Sequence, residues 1–591
     1  MSRLACCFVL AAFAAAGCGS TEVIDENPAT AAFAVDALTV MEGGTAELTL
    51  RLTGNAPSGL TLEVVFLADA AGSTATAADL GGFDREAVTF PPGSSDGATQ
   101  TVAVPVAEDD ALEGDEAAVF ALFPPGDEVP GVGEPSRLTL TLTDAFDFAG
   151  VEEPDWEAQV QPFLAAACGD CHGSRDPAGG LVVTDYDALL AGSDAGEALI
   201  AYDPVNSLLL ELAEKLSEDD PLYEAHQLGA DEAAFLRRWI EGGARGPDGE
   251  PAFADIARRL YVCNQMGGQV SVIDIDRLVV ARTVTFDAYG GPMETNPHDV
   301  DVEPDGSHWY VSLIRAHRVL KYDVATNAVV DEAALGDTFF PGMLALDPTS
   351  DRLYAGRSFA DNTGGQSFFA LDRSDMSAEE INITYTRPHP IDVTADGAYV
   401  LSGCLAESIA TAFDAETLDL VSQITVDDEA TALVHYAVSP DGTRAAVTGQ
   451  QSGELYFLDI TDPESLEVVG TATVGQQPWH PIYSPDGAFV YVPNRESNTV
   501  SVVDAATMAT VDTIDDAVLS MPHGSAITAD GGLLFISNAN LAQSTNPYTP
   551  RYDFGDNAQV GFVAVIDTQA RAVVKVIEVE EWASGMSAWE E

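Results

Sequence analysis

The sequence predicts a multidomain, mainly β protein, with an N-terminal β-sandwich, a small all-α domain and a C-terminal seven-bladed β-propeller. Three observations predict this order. Apolar and polar residues alternate with a period of two through residues 31–147, as in half-buried strands. Residues 148–247 carry helical apolar patterns instead. From residue 248 to the end, a four-strand unit repeats at the spacing typical of propeller blades.

The composition allows several buried cores and excludes some partners. The chain has 591 residues, of which 46% are hydrophobic, so several domains are expected. Its formal net charge is -70, which repels nucleic acid and anionic membrane surfaces. So acidic a surface suits calcium binding or a basic redox partner, although a plainly solvated surface would show the same composition.

The first 30 residues indicate export rather than structure. Arg3 supplies a positive start, and the apolar segment 4–16 is too short to span a bilayer. The segment ends in Ala15-Ala-Gly-Cys18, which resembles a bacterial lipobox, and this implies that Cys18 is lipidated. Leu is usual where Ala15 stands, so cleavage by ordinary signal peptidase is the alternative. Residues 1–18 thus predict a signal peptide with a lipobox, and 19–30 a tether. The expected location is the periplasm or cell surface, with a lipid anchor at the outer membrane as the sole membrane contact.

Residues 31–147 predict a β-sandwich, because Gly, Pro and Ser punctuate runs such as Ala46-Glu-Leu-Thr-Leu-Arg-Leu. The region resembles a Calx-β domain in Met41-Glu-Gly-Gly, Val88-Thr-Phe-Pro-Pro-Gly and Leu138-Thr-Leu-Thr-Leu-Thr-Asp144. Acidic loops hold calcium in that family, and Ca²⁺ prefers several oxygen ligands. The resemblance implies this role for Glu42, Asp79, Asp109, Asp110, Glu113 and Asp144. Leu80 replaces the tyrosine usual after the Asp79 position, and a metal-free spacer is the alternative.

The run Cys168-Gly-Asp-Cys171-His172 is the strongest motif in the chain. C-x-x-C-H is typical of covalent haem c attachment, in which both thiols add to the porphyrin and the histidine becomes the proximal iron ligand. A zinc site would need about four ligands, and the sequence has no second Cys pair to supply them. Residues 148–247 resemble planctomycete-type cytochrome c domains, and this implies that the helix with Trp239-Ile240 packs against the haem-binding helix.

His226 is the candidate for the second axial ligand of the iron. Related domains usually place a Met-Pro here, whereas this chain has no Met between Met41 and Met266. His226 is the only other histidine in residues 148–247, so we expect a bis-histidine iron. Such ligation should lower the reduction potential relative to Met/His ligation. A surface histidine beside an open or water-bound iron is the alternative.

Residues 248–591 are organised by strands that end in aspartate. Successive strand ends lie about 42–49 residues apart, except at the last interval. Asp-Gly turns recur in phase with them, and each such turn favours a hairpin. The seven strand-ending aspartates are Asp274, Asp323, Asp372, Asp414, Asp459, Asp504 and Asp567.

The repeats resemble the YVTN family of propellers, most plainly in Phe489-Val-Tyr-Val-Pro-Asn. The first repeat lacks a leading strand before Leu260-Tyr-Val, and the tail around Ser584-Gly-Met is expected to supply it and close the ring. The last blade carries an insertion at 542–559, and such insertions usually map to one functional face.

Histidines recur just before the innermost strands, at His298, His389, His435, His480 and His523. Imidazoles around an axis could bind copper or another metal. Counted from the turns, His435 and His480 stand one residue later than the others, and adjacent strand residues face opposite sides. Register therefore argues against a complete ring and favours His298, His389 and His523 as the candidate metal site, unless the histidines precede the strands proper, in which case the alternation does not apply. A packing role is the alternative.

These features favour an exported c-type haem protein that binds haem c and transfers electrons to a redox partner protein. The propeller would serve as a docking or catalytic platform, as in an oxidoreductase component. A surface interaction protein, with a Ca²⁺-binding sandwich and an accessory haem, is a second hypothesis. A propeller metalloenzyme that receives electrons from the haem is a third.

Overall fold

The computed structural model describes residues 29–108, 116–125, 131–143, 146, 148–358, 364–552 and 560–591. The chain divides into two compact units, Met1–Phe146 and Asp147–Glu591. The small helical domain and the propeller therefore form a single unit, which the sequence did not predict.

The first unit is a β-sandwich. One sheet has the order β1-β3-β6, and the other has the order β2-β8-β7-β4-β5. Alternate residues of β3 are buried, and Leu48, Leu50, Phe120 and Leu140 are fully buried in the core. The period-two pattern thus reflects a packed inner face, as expected. The strands are β1 Thr30–Phe33, β2 Ala37–Met41, β3 Thr45–Thr53, β4 Leu60–Phe66, β5 Arg85–Phe90, β6 Thr99–Pro105, β7 Glu116–Phe123 and β8 Arg137–Thr143.

Four α-helices build the small domain. They are α1 Gln161–His172, α2 Tyr186–Leu190, α3 Leu208–Lys215 and α4 Ala230–Glu241. A π-helical turn, Trp156–Val160, leads into α1, and 3₁₀ turns span Phe148–Gly150, Ala178–Gly180 and Tyr223–Ala225.

Aromatic side chains join the first and last helices of this domain. The rings of Phe163 and Phe235 lie 5.8 Å apart between centroids, and Trp156 stacks on Trp239 at 5.6 Å. The predicted packing of α4 on α1 is therefore confirmed. No helix within the described ranges is long and apolar enough to cross a membrane.

The rest of the second unit is a propeller, with seven four-stranded sheets among the described residues. The first blade has β9 Arg258–Asn264, β10 Gln269–Asp274 and β11 Val279–Thr285, and the second has β12 Pro297–Val302, β13 His308–Leu313, β14 Arg318–Asp323 and β15 Val329–Ala334. The third has β16 Pro341–Leu346, β17 Arg352–Arg357, β18 Ser367–Asp372 and β19 Ala378–Asn382. The fourth has β20 Pro388–Val393, β21 Tyr399–Cys404, β22 Ile409–Asp414 and β23 Leu420–Thr425.

The remaining blades repeat the pattern. The fifth has β24 Leu433–Val438, β25 Arg444–Gly449, β26 Glu454–Asp459 and β27 Glu467–Thr473. The sixth has β28 Ile482–Tyr483, β29 Phe489–Asn494, β30 Thr499–Asp504 and β31 Ala509–Ile514. The seventh has β32 Pro522–Ile527, β33 Leu533–Asn538, β34 Gly561–Asp567 and β35 Ala572–Val579. A short helix, α5 Pro292–Thr295, and the 3₁₀ turns Asp287–Tyr289 and Pro463–Ser465 lie between strands.

The C-terminal strand closes the ring. Strand β36, Ala583–Glu590, pairs antiparallel with β9 and completes the first blade. Arg258 on β9 reinforces this pairing through an ion pair with Glu590 at 3.1 Å. The predicted closure by the tail is therefore confirmed.

The small domain is packed against the first blade. Ile200 belongs to the same apolar cluster as Leu260 of the propeller, and the Ala201 N–H donates to the Ala281 carbonyl at 3.3 Å. The Arg282 guanidinium lies 5.0 Å from the centre of the Tyr202 ring. Burial lowers the pKa of Arg282 to about 10, so this side chain keeps its charge at neutral pH inside the interface.

Candidate functional site

The C-x-x-C-H motif forms the last turns of α1. Cys168 and Cys171 are three residues apart, so the helix presents both thiols on one face, and His172 is the final helical residue. Cys168 is half-buried and Cys171 is exposed, and both are free thiols. Burial, the nearby Cys171 thiol and Glu232 raise the pKa of Cys168 to about 11. Because a reactive catalytic cysteine needs a lowered pKa, the geometry does not suit thiol catalysis.

His226 lies opposite His172, as the predicted distal ligand should. It caps the 3₁₀ turn Tyr223–Ala225, and its ring centroid is 6.2 Å from that of His172, with 53° between the planes. Two imidazoles bound at about 2 Å on opposite sides of one metal place their ring centres roughly 6 Å apart. The spacing of these two rings therefore fits one iron between them.

Hydrogen bonds set the tautomer of both rings. His172 Nδ1 donates to the Ala178 carbonyl at 3.1 Å, and His226 Nδ1 donates to the Leu222 carbonyl at 2.9 Å. Since a carbonyl oxygen can only accept, Nδ1 carries the proton in both residues. This leaves each Nε2 lone pair to bind a metal, which is the usual arrangement around ligating histidines.

The five propeller histidines converge near the axis. Ring centroids are 5.7 Å apart for His298–His389, 5.9 Å for His298–His523, 4.8 Å for His480–His523 and 4.4 Å for His435–His480. The register argument that separated His435 and His480 from the other three is therefore wrong. Strands β12, β20, β24 and β32 each carry a register shift where the histidine stands, and a bulge breaks the alternation of faces.

Burial keeps these imidazoles neutral. It lowers the pKa of His298 to about 3 and that of His389 and His435 to about 4, and neighbouring histidines lower the values of His298 and His435 further. The pKa values of His480 and His523 are also well below the ordinary range, for the same reasons. The cluster thus adds no positive charge to the axis at neutral pH.

The axial cluster does not form a metal cage in this structure. In the described part of the chain, no group of three or more His, Cys, Asp or Glu side chains is arranged to hold a metal ion. His298 Nδ1 is bonded to Gln265 Oε1 at 3.2 Å, and His389 Nδ1 donates to the Arg357 carbonyl at 2.6 Å. The metal site at His298, His389 and His523 stays a prediction.

Two predicted calcium ligands lie at one end of the sandwich. The Gly43 N–H, next to Glu42, donates to the Ala107 carbonyl at 3.2 Å, and the Ala107 N–H donates to the Asp79 carbonyl at 2.8 Å. Both loops therefore meet the segment that precedes Asp109 in the sequence. The other predicted residues, Asp109, Asp110, Glu113 and Asp144, lie outside the described residues, as does Cys18. Calcium binding and lipidation stay predictions.

A cavity of about 440 Å³ at the propeller axis was missed by the sequence reasoning. The cavity is lined by Gln265, Ser358, Gln450 and Arg495. Each of these residues directly follows the second strand of its blade, counted from the innermost strand, and in the first blade that second strand is β9. A comparison of this one position across the repeats shows a polar residue in these four blades and an apolar one, Ile314, Leu405 or Ala539, in the other three. The cavity is also lined by Met266, Met293, Asn296, His298, Arg315, Trp479, His523 and Trp582.

Comparisons with known families agree with the two domains of the second unit. Residues 168–221 match the planctomycete cytochrome C family, and residues 315–546 match the family described as lactonase, 7-bladed beta-propeller. The chain therefore contains a cytochrome c-like domain and a seven-bladed β-propeller, which are similar to these two families. No curated protein matches the chain significantly.

Three solved structures illustrate the range of similar proteins. Hydrazine synthase of Kuenenia stuttgartiensis is 19% identical, with 47% of this chain and 78% of that chain covered and a TM-score of 0.39. A functionally unknown protein from Desulfotomaculum acetoxidans is 16% identical, with coverage of 56% and 99% and a TM-score of 0.45. The dihydro-heme d1 dehydrogenase NirN is 13% identical, with coverage of 72% and 98% and a TM-score of 0.41. None of these similarities is strong enough to indicate a shared activity.

Proposed function

We propose that the protein is an exported c-type haem protein that transfers electrons, with Cys168 and Cys171 tethering haem c and His172 and His226 as axial ligands. The observation that carries this proposal is the pair of histidines 6.2 Å apart, each with Nδ1 bonded to a backbone carbonyl. The cytochrome family match over 168–221 includes the motif and ends just before His226, so that residue rests on geometry.

When bound, haem c supplies a one-electron redox couple. The residues of this chain decide how firmly the haem is retained and what its reduction potential is. Two thioether links at Cys168 and Cys171 prevent loss of the group, and the bonds to Ala178 and Leu222 orient the two imidazoles. An imidazole in place of a thioether opposite His172 favours oxidised iron and lowers the potential.

The propeller serves as the platform in this proposal. It holds the small domain through Ile200 and through Arg282 on the Tyr202 ring, so that the haem domain meets a redox partner in a set orientation. Because the chain carries a formal net charge of -70, a basic partner protein would be attracted at long range. Export and a lipid anchor at Cys18 would place this encounter in the periplasm or at the cell surface.

Spectroscopy of the holoprotein tests the proposal directly. Protein matured with a c-type haem system should be low-spin in both oxidation states, because two imidazoles give a strong ligand field. It should also fail to bind carbon monoxide rapidly, since both axial positions are filled. A high-spin spectrum with immediate carbon monoxide binding would contradict bis-histidine ligation while leaving haem attachment intact.

A second candidate function, a calcium-dependent surface interaction protein, is favoured by the shared contact of the Glu42 and Asp79 loops with Ala107. Calcium that binds only the folded sandwich would increase its free energy of unfolding by about 2.7 kcal/mol at a hundredfold excess over Kd, and so raise its melting temperature. Glu42→Ala with Asp79→Ala should abolish this shift, and Glu86→Gln on strand β5 should keep it. Equal melting with calcium and with magnesium in the unmutated protein would exclude this function.

A further inference from the structure

The cavity at the propeller axis has an unusual charge for this protein. Its lining includes Arg315, Arg495, His298 and His523, and no Asp or Glu belongs to the described residues that line it. The whole chain has 95 acidic residues against 25 Lys and Arg, so an acid-free cavity with two guanidinium groups stands out from its surroundings. A cation would be repelled here, whereas an anion would be attracted.

Arg495 is the central feature of this cavity. Its guanidinium lies 5.0 Å from the centre of the Trp479 ring and 5.6 Å from that of Trp582. Among the described residues it has no ion pair with a carboxylate, and its buried Nε has no hydrogen-bond partner. The residue is half-buried, but its sealed Nε lacks the hydrogen bond that would offset its loss of water, so a ligand that pairs with this guanidinium would stabilise the fold.

Another arginine provides a useful contrast. Arg571 also lies over an aromatic ring, 5.4 Å from the centre of Phe489, but it is paired with Asp512 at 2.8 Å. Stacking on an aromatic ring therefore does not by itself remove the carboxylate partner in this protein.

Neighbouring side chains offer further unpaired polar atoms. His298 and His523 are 4% and 1% exposed, and His298 Nε2 and His523 Nδ1 have no hydrogen-bond partner among the described residues. The same holds for the buried Trp582 Nε1, which can only donate. Arg315 is exposed at the rim and adds a second guanidinium. The guanidinium groups and the Trp582 N–H are donors around one cavity and favour a ligand with several acceptor oxygens, whereas neutral His298, with Nδ1 bonded to the Gln265 oxygen, has only an acceptor at Nε2.

We propose that this cavity binds a small oxyanion, either a carboxylate or an inorganic oxyanion, through Arg495 and Arg315. The planar guanidinium fork of Arg495 matches two oxygens of such a group, and the two indole rings hold the fork in place. A volume of about 440 Å³ lies within the range of small-molecule sites. The site does not depend on haem attachment, so it stands or falls separately from the proposed electron transfer.

Titration calorimetry of the full-length holoprotein tests the site, with sodium acetate, nitrate and sulfate as probes at one ionic strength set by sodium chloride. Saturable binding of acetate alone assigns the site to carboxylates, and binding of nitrate or sulfate assigns it to inorganic oxyanions. Arg495→Gln should weaken binding at least about tenfold, since a hydrogen-bonded charged partner is lost. Arg571→Gln, the matched arginine outside the cavity, should bind as the parent does.

Folding of the variants is checked by the near-ultraviolet circular dichroism of the tryptophans. If Arg495→Gln fails to fold, Arg315→Gln decides the matter, because Arg315 is exposed and its loss should weaken binding several-fold without disturbing the core. Absence of saturable binding by all three probes would overturn the proposal. So would unchanged affinity in folded Arg495→Gln, or in Arg315→Gln if Arg495→Gln does not fold.

Discussion

The second unit contains two groups of histidines in opposite environments. His172 and His226 are half-buried at helix ends, and their Nδ1 atoms are bonded to backbone carbonyls. The five axial histidines are brought together by the inner strands of the propeller, and burial lowers their pKa values far below the ordinary range. The first pair consists of two rings with 6.2 Å between their centroids, whereas the axial cluster crowds five rings together at separations from 4.4 to 5.9 Å.

The comparison shows that histidine content alone does not identify a metal site. A ligating histidine needs a fixed tautomer with the second nitrogen free, and a partner at the spacing of one ion. The pair meets both requirements, with 6.2 Å between ring centroids. His435 and His480, stacked at 4.4 Å, are too close for an ion between them. His298 and His389 come near the required spacing at 5.7 Å, but among the described residues no third ligand is arranged with them to hold a metal ion.

The largest expected effect concerns the haem tether. Cys168→Ala with Cys171→Ala should abolish covalent haem, because the thioether links alone hold the group through denaturation. Haem staining after denaturing electrophoresis measures this. The matched control is Cys263→Ala with Cys404→Ala, which changes the buried cysteines of the propeller and should leave the stain in place. A stained band from the first variant would remove the basis of the haem assignment.

The next prediction tests whether His172 and His226 bind the same iron. His226→Ala should convert the oxidised protein from low-spin to high-spin and open the iron to carbon monoxide. His226→Met should restore the low-spin spectrum at a higher potential, since a thioether favours reduced iron. His308→Ala, on propeller strand β13, serves as the control and should match the parent. A parental spectrum from His226→Ala would show that the sixth ligand comes from elsewhere.

The axial histidines should make the free energy of unfolding depend on pH. His389 has a folded pKa of about 4 against 6.5 unfolded, so between these values the unfolded chain binds one more proton. Stability is therefore lost as pH falls from 6.5 to 4, by about 1.4 kcal/mol per unit and about 3 kcal/mol in all. Denaturant unfolding should show that His389→Gln escapes this loss relative to the parent. Identical pH profiles would mean that the pKa of His389 is the same in the folded and the unfolded chain.

Asp299, which follows His298 in the chain, is expected to make stability depend on pH in the opposite direction, with a smaller change over the range measured. Burial raises the pKa of Asp299 to about 8, and neighbouring Asp301 adds to the rise, although the Leu344 N–H bond at 2.9 Å opposes it. The folded chain then holds one more proton than the unfolded chain between pH 3.8 and about 8, and the window from pH 6 to 8 lies above the range in which ordinary carboxylates titrate. Stability from this group is lost as pH rises, by about 2 kcal/mol over that window. Asp299→Asn should remove this slope, whereas Asp305→Asn, an exposed turn residue, should keep it.

Much of the architecture could be predicted from local patterns. The C-x-x-C-H run marks the haem helix, because thiol spacing along one turn is a local property of the chain. Asp-Gly turns and strand-ending aspartates mark the blades, since hairpins form between neighbours in sequence. Even closure by the tail follows from a strand missing before Leu260.

The sequence by itself therefore determined the haem motif, the blade count and the residues worth testing, including His226. Only the tertiary structure decided how distant parts meet. A bulge in β24 brought His435 to the axis, and His480 reaches it from the segment before β28. Ile200 joined the haem domain to the first blade, and Arg495 was placed between two tryptophans from different blades. The physical reason is that periodicity reports which face of one strand is buried, whereas bulges and contacts between blades depend on packing partners far away in the chain.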